Sequence, residues 1–192
     1  MRRVFQLFTK MLSQRLKNKA LIKEDEVRYT LFHALTTSKF SPHYRIRIES
    51  PHSRMKGKEV DTVVRRGGKC RAIAFEFKYD KQGKGALNRP ERAGSIFRDI
   101  FRLASLPRHE SYFIYITDTT MKKYFTNSRN KYGNFFDPPK GPYHFHVSKA
   151  FIAARPRSFK NELKGNFHKC ELEMSFRKEL SNKLSLRIFK IL

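Results

Sequence analysis

Cysteine is almost missing from this chain. Cys70 and Cys170 are the whole complement, too few and too far apart for a disulfide framework or a Cys-rich zinc site, and this usage suits a reducing compartment. Glycine and proline are sparse as well, 9 and 8 residues without period, which excludes collagen-like and low-complexity chains. No run approaches the roughly 20 apolar residues needed to cross a bilayer, so the expectation is a soluble, cytoplasmic protein. The sequence carries no Ser-His-Asp arrangement, no phosphate-cradling glycine loop and no helical zinc motif, and those enzyme classes are set aside. The deepest deficit is of acid: 17 Asp plus Glu stand against 42 Lys plus Arg, a formal net charge of +25.

A surplus of that size repels itself and calls for a polyanion to neutralise it, of which nucleic acid is the commonest. Counterion release from phosphates then gives sequence-independent affinity that falls steeply with salt. Beyond the first twenty residues the basic side chains are spread along the chain and not gathered on one helix, which favours nucleic acid over a membrane surface. Hydrophobic residues make up 39% of the sequence and 18 are Phe, which excludes a disordered basic tail. A single domain of this length buries roughly 70% of its unfolded surface, enough for a core without staples. Residues 1–20 carry Arg2, Arg3, Lys10, Arg15, Lys17 and Lys19 without an acid, and set Val4, Phe8, Met11, Leu12 and Leu16 on one helical face. That segment reads as a first helix packed on the domain; in a eukaryotic source the same composition fits a mitochondrial transit peptide.

Residues 24–35 read as a helix, because Val27, Leu31, Ala34 and Leu35 recur at helical spacing behind three acids, Glu24, Asp25 and Glu26, that suit a helix N-terminus. Ser41 and Pro42 break the pattern, and 44–49 alternates as a strand. Residues 59–66 and 69–79 are two further strands around Gly67-Gly68, a hairpin signal because both turn residues tolerate positive φ. Helical spacing returns over 92–105 through Ile96, Ile100 and Leu103, and the apolar run 111–117 suits a strand covered on both faces. Beyond Thr126, Asn, Gly and Pro mark a long loop, with short strands at 144–147 and 170–176 and an apolar-basic alternation over 186–192. The sum is a single α/β domain: a central mixed sheet flanked by helices, a core at about 24–117, and an irregular C-terminal part over 118–192.

The few acids are placed informatively. Asp61 and Glu76 sit inside strands otherwise largely apolar, where a charge is costly unless paired or coordinated. With Gly67-Gly68 as a two-residue turn, Arg66 pairs with Lys69 and Asp61 falls opposite Ala74. This sets Asp61 diagonal to Glu76 on one face, about 7 to 8 Å apart between backbones. Two carboxylates so close need a cation. Lys78, on the same face, is one candidate, giving a strand-borne salt-bridge cluster; a divalent metal is the other, and oxygen-only ligands select a hard ion such as magnesium or manganese over zinc.

Asp61, fourteen intervening residues, and then Glu76-Phe77-Lys78 resemble the motif of the PD-(D/E)XK nuclease superfamily, the restriction-endonuclease-like fold. The flanking hairpin, the acid-headed helix before it and the Arg-rich helix after it extend the resemblance over about 24–117, and Val60 stands where the family has a nominal proline. The resemblance implies a magnesium-dependent DNA endonuclease, with manganese able to substitute. Asp61, Glu76 and the Phe77 carbonyl would be metal ligands, and Lys78 would position the attacking water. It also implies an acid from the first helix: Glu24 is preferred because it shares a face with Val27, Leu31 and Leu35, with Glu26 kept open. A two-fold homodimer is the simplest way to cut both strands of a duplex. RNA stays open beside DNA, because charge directed at phosphate does not report the sugar.

Arg92, Arg98, Arg102 and Lys123 are the candidate nucleic-acid contacts, weighed against a solvated basic face with an Asp99–Arg102 pair. Asp80 reads as a strand-ending turn residue. His144 and His146 share a strand face without an acid beside them in sequence, which argues against a metal pair. Basic residues interleaved with Tyr132, Phe135, Phe136 and Tyr143 suit base stacking, and still better a mobile surface loop with some aromatic packing. A non-catalytic nucleic-acid-binding protein is the rival reading of the whole.

Overall fold

The computed structural model describes residues 1–18, 23–38, 44–65, 71–80, 88–139, 143–181 and 183–192. The chain runs α1 (Arg2–Lys17), α2 (Glu24–Thr37), β1 (Arg45–Pro51), β2 (Glu59–Arg65), β3 (Ala72–Asp80), α3 (Arg89–Ala104), β4 (His109–Asp118) and α4 (Thr119–Thr126). A short 3-10 turn follows, then β5 (His144–Val147), α5 (Lys149–Ala153), α6 (Arg157–Leu163), β6 (Cys170–Ser181) and β7 (Leu184–Ile191). Among the described residues seven strands form one mixed sheet, in the order β1-β2-β3-β4-β7-β6-β5. Only β3 and β4 pair in parallel, joined by the α3 crossover, and their apolar runs are buried on both faces.

Helix starts follow local chemistry. Glu26 Oε2 accepts the Lys23 amide at 2.5 Å at the head of α2, Asn88 caps α3 by accepting from Glu91 N, and Asp118 caps α4 by accepting from Thr120 N and Met121 N. Two apolar layers flank the sheet. Val4, Phe5, Phe8 and Leu12 of α1 and Val27, Leu31 and Leu35 of α2 cover one face with Ile73, Phe75 and Phe77. On the other face Ile96, Phe97, Ile100 and Phe101 of α3 meet Val63, Ala74, Phe113 and Phe189. The basic amphipathic N-terminal helix thus has its apolar face filled within the fold. Among the described residues no helix is long and apolar enough to cross a membrane.

The expected strand register is corrected. The β2–β3 register pairs Val63 with Ala74, two residues away from the register built on an Arg66–Lys69 pair. Gly67-Gly68, like Ser41-Pro42 and Cys70, lies outside the described residues. An even shift keeps every side chain on its expected face, and continuing it sets Asp61 level with Glu76, not diagonal to it.

The C-terminal part is not irregular. β7 inserts beside β4 and β6 runs for 12 residues, so the sheet is completed only by the end of the chain. The presumed surface loop is core as well: Tyr132, Phe135 and Phe136 are each at most 1% exposed, with Phe135 stacked on Phe189. Buried arginines make this possible by satisfying the segment's carbonyls. Arg155 donates to Asn130 O and Lys131 O, Arg187 donates to Phe136 O, and each guanidinium lies over an aromatic ring.

Candidate active site

The β2–β3 ladder stops at the Thr62–Phe75 pair, and carboxylates take over from there. Phe77 N donates to Asp61 Oδ2 at 2.8 Å and Tyr79 N donates to Glu24 Oε2 at 3.0 Å, so side chains satisfy the amides that the parting strand abandons. Glu24 comes from the first turn of α2, in the layer opposite α3. A strand residue's carbonyl points to the same side as its amide, so the Phe77 carbonyl opens into the same gap. Arg28, one turn after Glu24, donates to Asp61 Oδ1 at 3.1 Å and to Glu49 Oε1 at 3.2 Å. Glu49 lies level with Asp61 in the β1–β2 register and takes φ of +51°, a left-handed conformation costing on the order of 1 kcal/mol outside glycine. Local strain therefore borders the acids.

Glu76 projects to the α3 side and is 1% exposed. Arg102 donates to both of its oxygens, Nε to Oε1 at 3.0 Å and Nη2 to Oε2 at 2.5 Å. Asp99, also buried, lies 3.6 Å from Lys78 Nζ and 3.4 Å from Arg102 Nη2. Four carboxylates, Glu24, Asp61, Glu76 and Asp99, therefore share one site with Arg28, Lys78 and Arg102. Burial first, then the Asp61 charge, raises the Glu76 carboxyl well above its ordinary 4.5, and Arg102 opposes this only in part. Burial also raises Glu24, against the Tyr79 amide and Lys78, while Asp61 and Asp99 push it further up.

The chemistry of this donor set fits a hard divalent cation. Asp61, Glu76 and the Phe77 carbonyl offer oxygen alone, and two mutually repelling carboxylates at the gap gain from a cation between them. The spacing is looser than a formed ligand cage: among the described residues no three His, Cys, Asp or Glu lie close enough to hold an ion, and both Glu76 oxygens are engaged by Arg102.

The structure gathers Glu24, Asp61, Glu76 and Lys78 in one place. Glu26 instead caps α2, and Asp25 lies out at the surface, 3.7 Å from Arg28. The proposed phosphate contacts fare differently. Arg92 is buried and bound to Asp80, which also accepts from Tyr115 Oη, so it is a structural pair, and Asp80 is more than a turn residue. Arg102 is drawn inward to Glu76, while Arg98 pairs with Glu162 at 3.0 Å. Lys123 is exposed on α4 and, among the described residues, pairs with none of the site's acids.

His144 and His146 do meet an acid, supplied by the neighbouring strand. Glu171 lies 3.4 and 3.1 Å from their Nδ1 atoms. Sequence reasoning missed Arg28 and saw Asp99 only as a partner for Arg102. Arg28 had a usable signal, four residues after Glu24 on the same helical face. Asp99 was the one acid in the middle of the Arg-rich helix. Comparison with protein families, with curated proteins and with solved structures finds no match.

Proposed function

We propose that this protein is a magnesium-dependent nuclease that hydrolyses phosphodiester bonds in DNA, with manganese as a substitute ion and a restriction-endonuclease-like arrangement around the acids. The observation that carries this reading is the gap between β2 and β3. There a buried Glu76, an Asp61 and a Glu24 converge beside Lys78 on a strongly basic protein. The succession of acid-headed helix, hairpin, Arg-rich helix and buried strand supports it.

Asp61, Glu76 and the Phe77 carbonyl would hold the ion, which when bound supplies positive charge against the phosphate and acidifies water. Lys78, steadied by Asp99, donates to the attacking water and to a non-bridging phosphate oxygen. Glu24, whose affinity for protons is raised by burial, accepts the proton that water gives up as its oxygen bonds to phosphorus and the ester oxygen departs. Arg28 orients Asp61.

The test is plasmid, single-stranded and branched DNA, with an RNA arm, incubated with the protein in magnesium, manganese or EDTA. Metal-dependent cutting is expected, with Glu76→Gln and Lys78→Met each slower by about 10²–10⁴-fold. The two bonds from Arg102 to Glu76 favour a second reading, a non-catalytic nucleic-acid-binding protein with a closed ion network. Intact nucleic acid in every lane, with salt-sensitive binding retained, would establish that reading and overturn the first.

A further inference from the structure

Next to the acids lies a cavity of about 190 Å³ lined by Met55, Lys58, Arg98, Arg102, Lys164 and Asn166. We infer that this pocket seats a backbone phosphate of the nucleic-acid strand, one that flanks the phosphate presented to Asp61 and Glu76. The inference rests on nucleic acid being the partner, not on cleavage.

Three separate parts of the chain build the pocket, and each is fixed in place. His52 holds the β1–β2 connection: its Nδ1 accepts from Arg54 N and Met55 N, which leaves Nε2–H to donate to Arg102 O at 3.0 Å. Met55 and Lys58 are thereby tied to the last turn of α3, and Lys58 N donates to Met55 O within the same turn. α6 is seated on α3 at Gly94, where even a Cβ would stand 2.4 Å from Phe159 O. That contact sets the level of Lys164, which ends α6 in the left-handed conformation (φ +49°), with Asn166 N closing the turn onto Leu163 O. Arg98 is aimed across the junction by Glu162.

The charge of the pocket is unbalanced. Arg98 and Arg102 are offset by Glu162, Asp99 and Glu76, but among the described residues no carboxylate pairs with Lys58 or Lys164. Two lysines without counter-ions, beside a guanidinium edge and an amide, suit a phosphate oxygen cluster far better than an apolar ligand, since among the described residues of the lining Met55 is the sole hydrophobic side chain. Arg102 reaches both the pocket and Glu76, so a phosphate here is one side chain away from the acids. A chain at +25 presents this pocket to polyanions first, which selects backbone phosphate over free phosphate.

The test measures binding of labelled duplex and single-stranded DNA by fluorescence anisotropy across a salt series in EDTA. Wild type is compared with Lys58→Ala, Lys164→Ala, the double variant and Lys10→Ala, an exposed lysine on α1. Each pocket variant is expected to lower the slope of log K against log salt by about 0.9 on duplex and about 0.7 on single strands, and the double variant by twice that. Pocket variants that are folded by circular dichroism but indistinguishable from Lys10→Ala would overturn the inference. A stabilisation by inorganic phosphate that both lysine variants abolish, without change in DNA slope, would assign the pocket to free phosphate and overturn it too. No cleavage is read in this assay, so a wild type inert on plasmid would sink the nuclease reading and leave the pocket result standing.

Discussion

Glu76 is a carboxyl whose proton affinity is set by its neighbours, and this makes its contribution to stability depend on pH in a defined direction. In the unfolded chain it ionises near 4.5; in the folded protein it holds its proton to higher pH because burial and Asp61 disfavour the charge. Between those two values the folded state binds more protons, so stability falls as pH rises through the window and is not recovered above it. A glutamine cannot titrate. In EDTA, the melting temperature of Glu76→Gln relative to wild type is therefore expected to move in the variant's favour as pH goes from about 4 to about 8. Thermal denaturation at stepped pH reads this directly, and a difference that stays constant would show that Arg102 neutralises the carboxylate completely. Added magnesium is expected to raise the wild-type melting temperature at pH 8 and leave Glu76→Gln nearly unmoved, because an ion that binds only the folded state stabilises by mass action.

Helix α3 carries Arg92, Asp99 and Arg102 to the sheet on one side and receives α6 on the other. The close approach at Gly94 makes that second contact unforgiving. Gly to Ala in a helix ordinarily gains about 1 kcal/mol, but here the added methyl meets a backbone carbonyl that has no rotamer to change. Gly94→Ala is expected to cost about 1–3 kcal/mol by overpacking, read as a lowered denaturant midpoint at unchanged slope. The elements around the site were legible in the sequence because each announces itself locally: acids ahead of a 3.6-residue period for α2, alternation for β2 and β3, an apolar run for β4. Glu24 was legible for the same reason, as an acid on the apolar face. The register was not, since it depends on a connection whose length residue types do not fix. The segment around Tyr132 to Phe136 was hidden more deeply. Its Asn, Gly and Pro spell a loop, and its burial depends on side chains distant in sequence, Arg155 and Arg187 among them, that satisfy its carbonyls.

Over the whole molecule the sheet is finished last. β7 lies between β4 and β6 and lends Ile188 and Leu186 to one apolar layer and Phe189 to the other. A fragment limited to 24–117 keeps every proposed catalytic residue yet loses α1 and β7. It is expected not to fold, with circular dichroism and a thermal melt showing no cooperative transition where the full chain gives one. A folded, cooperative fragment would instead make the C-terminal strands an accessory.

The site draws Glu24 from one layer, Asp99 and Arg102 from the other, and Asp61 and Glu76 from the sheet between them. The proposed attraction to nucleic acid has no such requirement, since the surplus of 25 charges over the full sequence is a property of composition and does not wait for the fold. The two capacities are therefore separable in time. A half-made molecule would carry charge that attracts a polyanion before the constellation exists, and the proposed chemistry requires both layers to have closed on the sheet. For a protein proposed both to bind a polymer and to break it, the architecture itself would act as a safety catch.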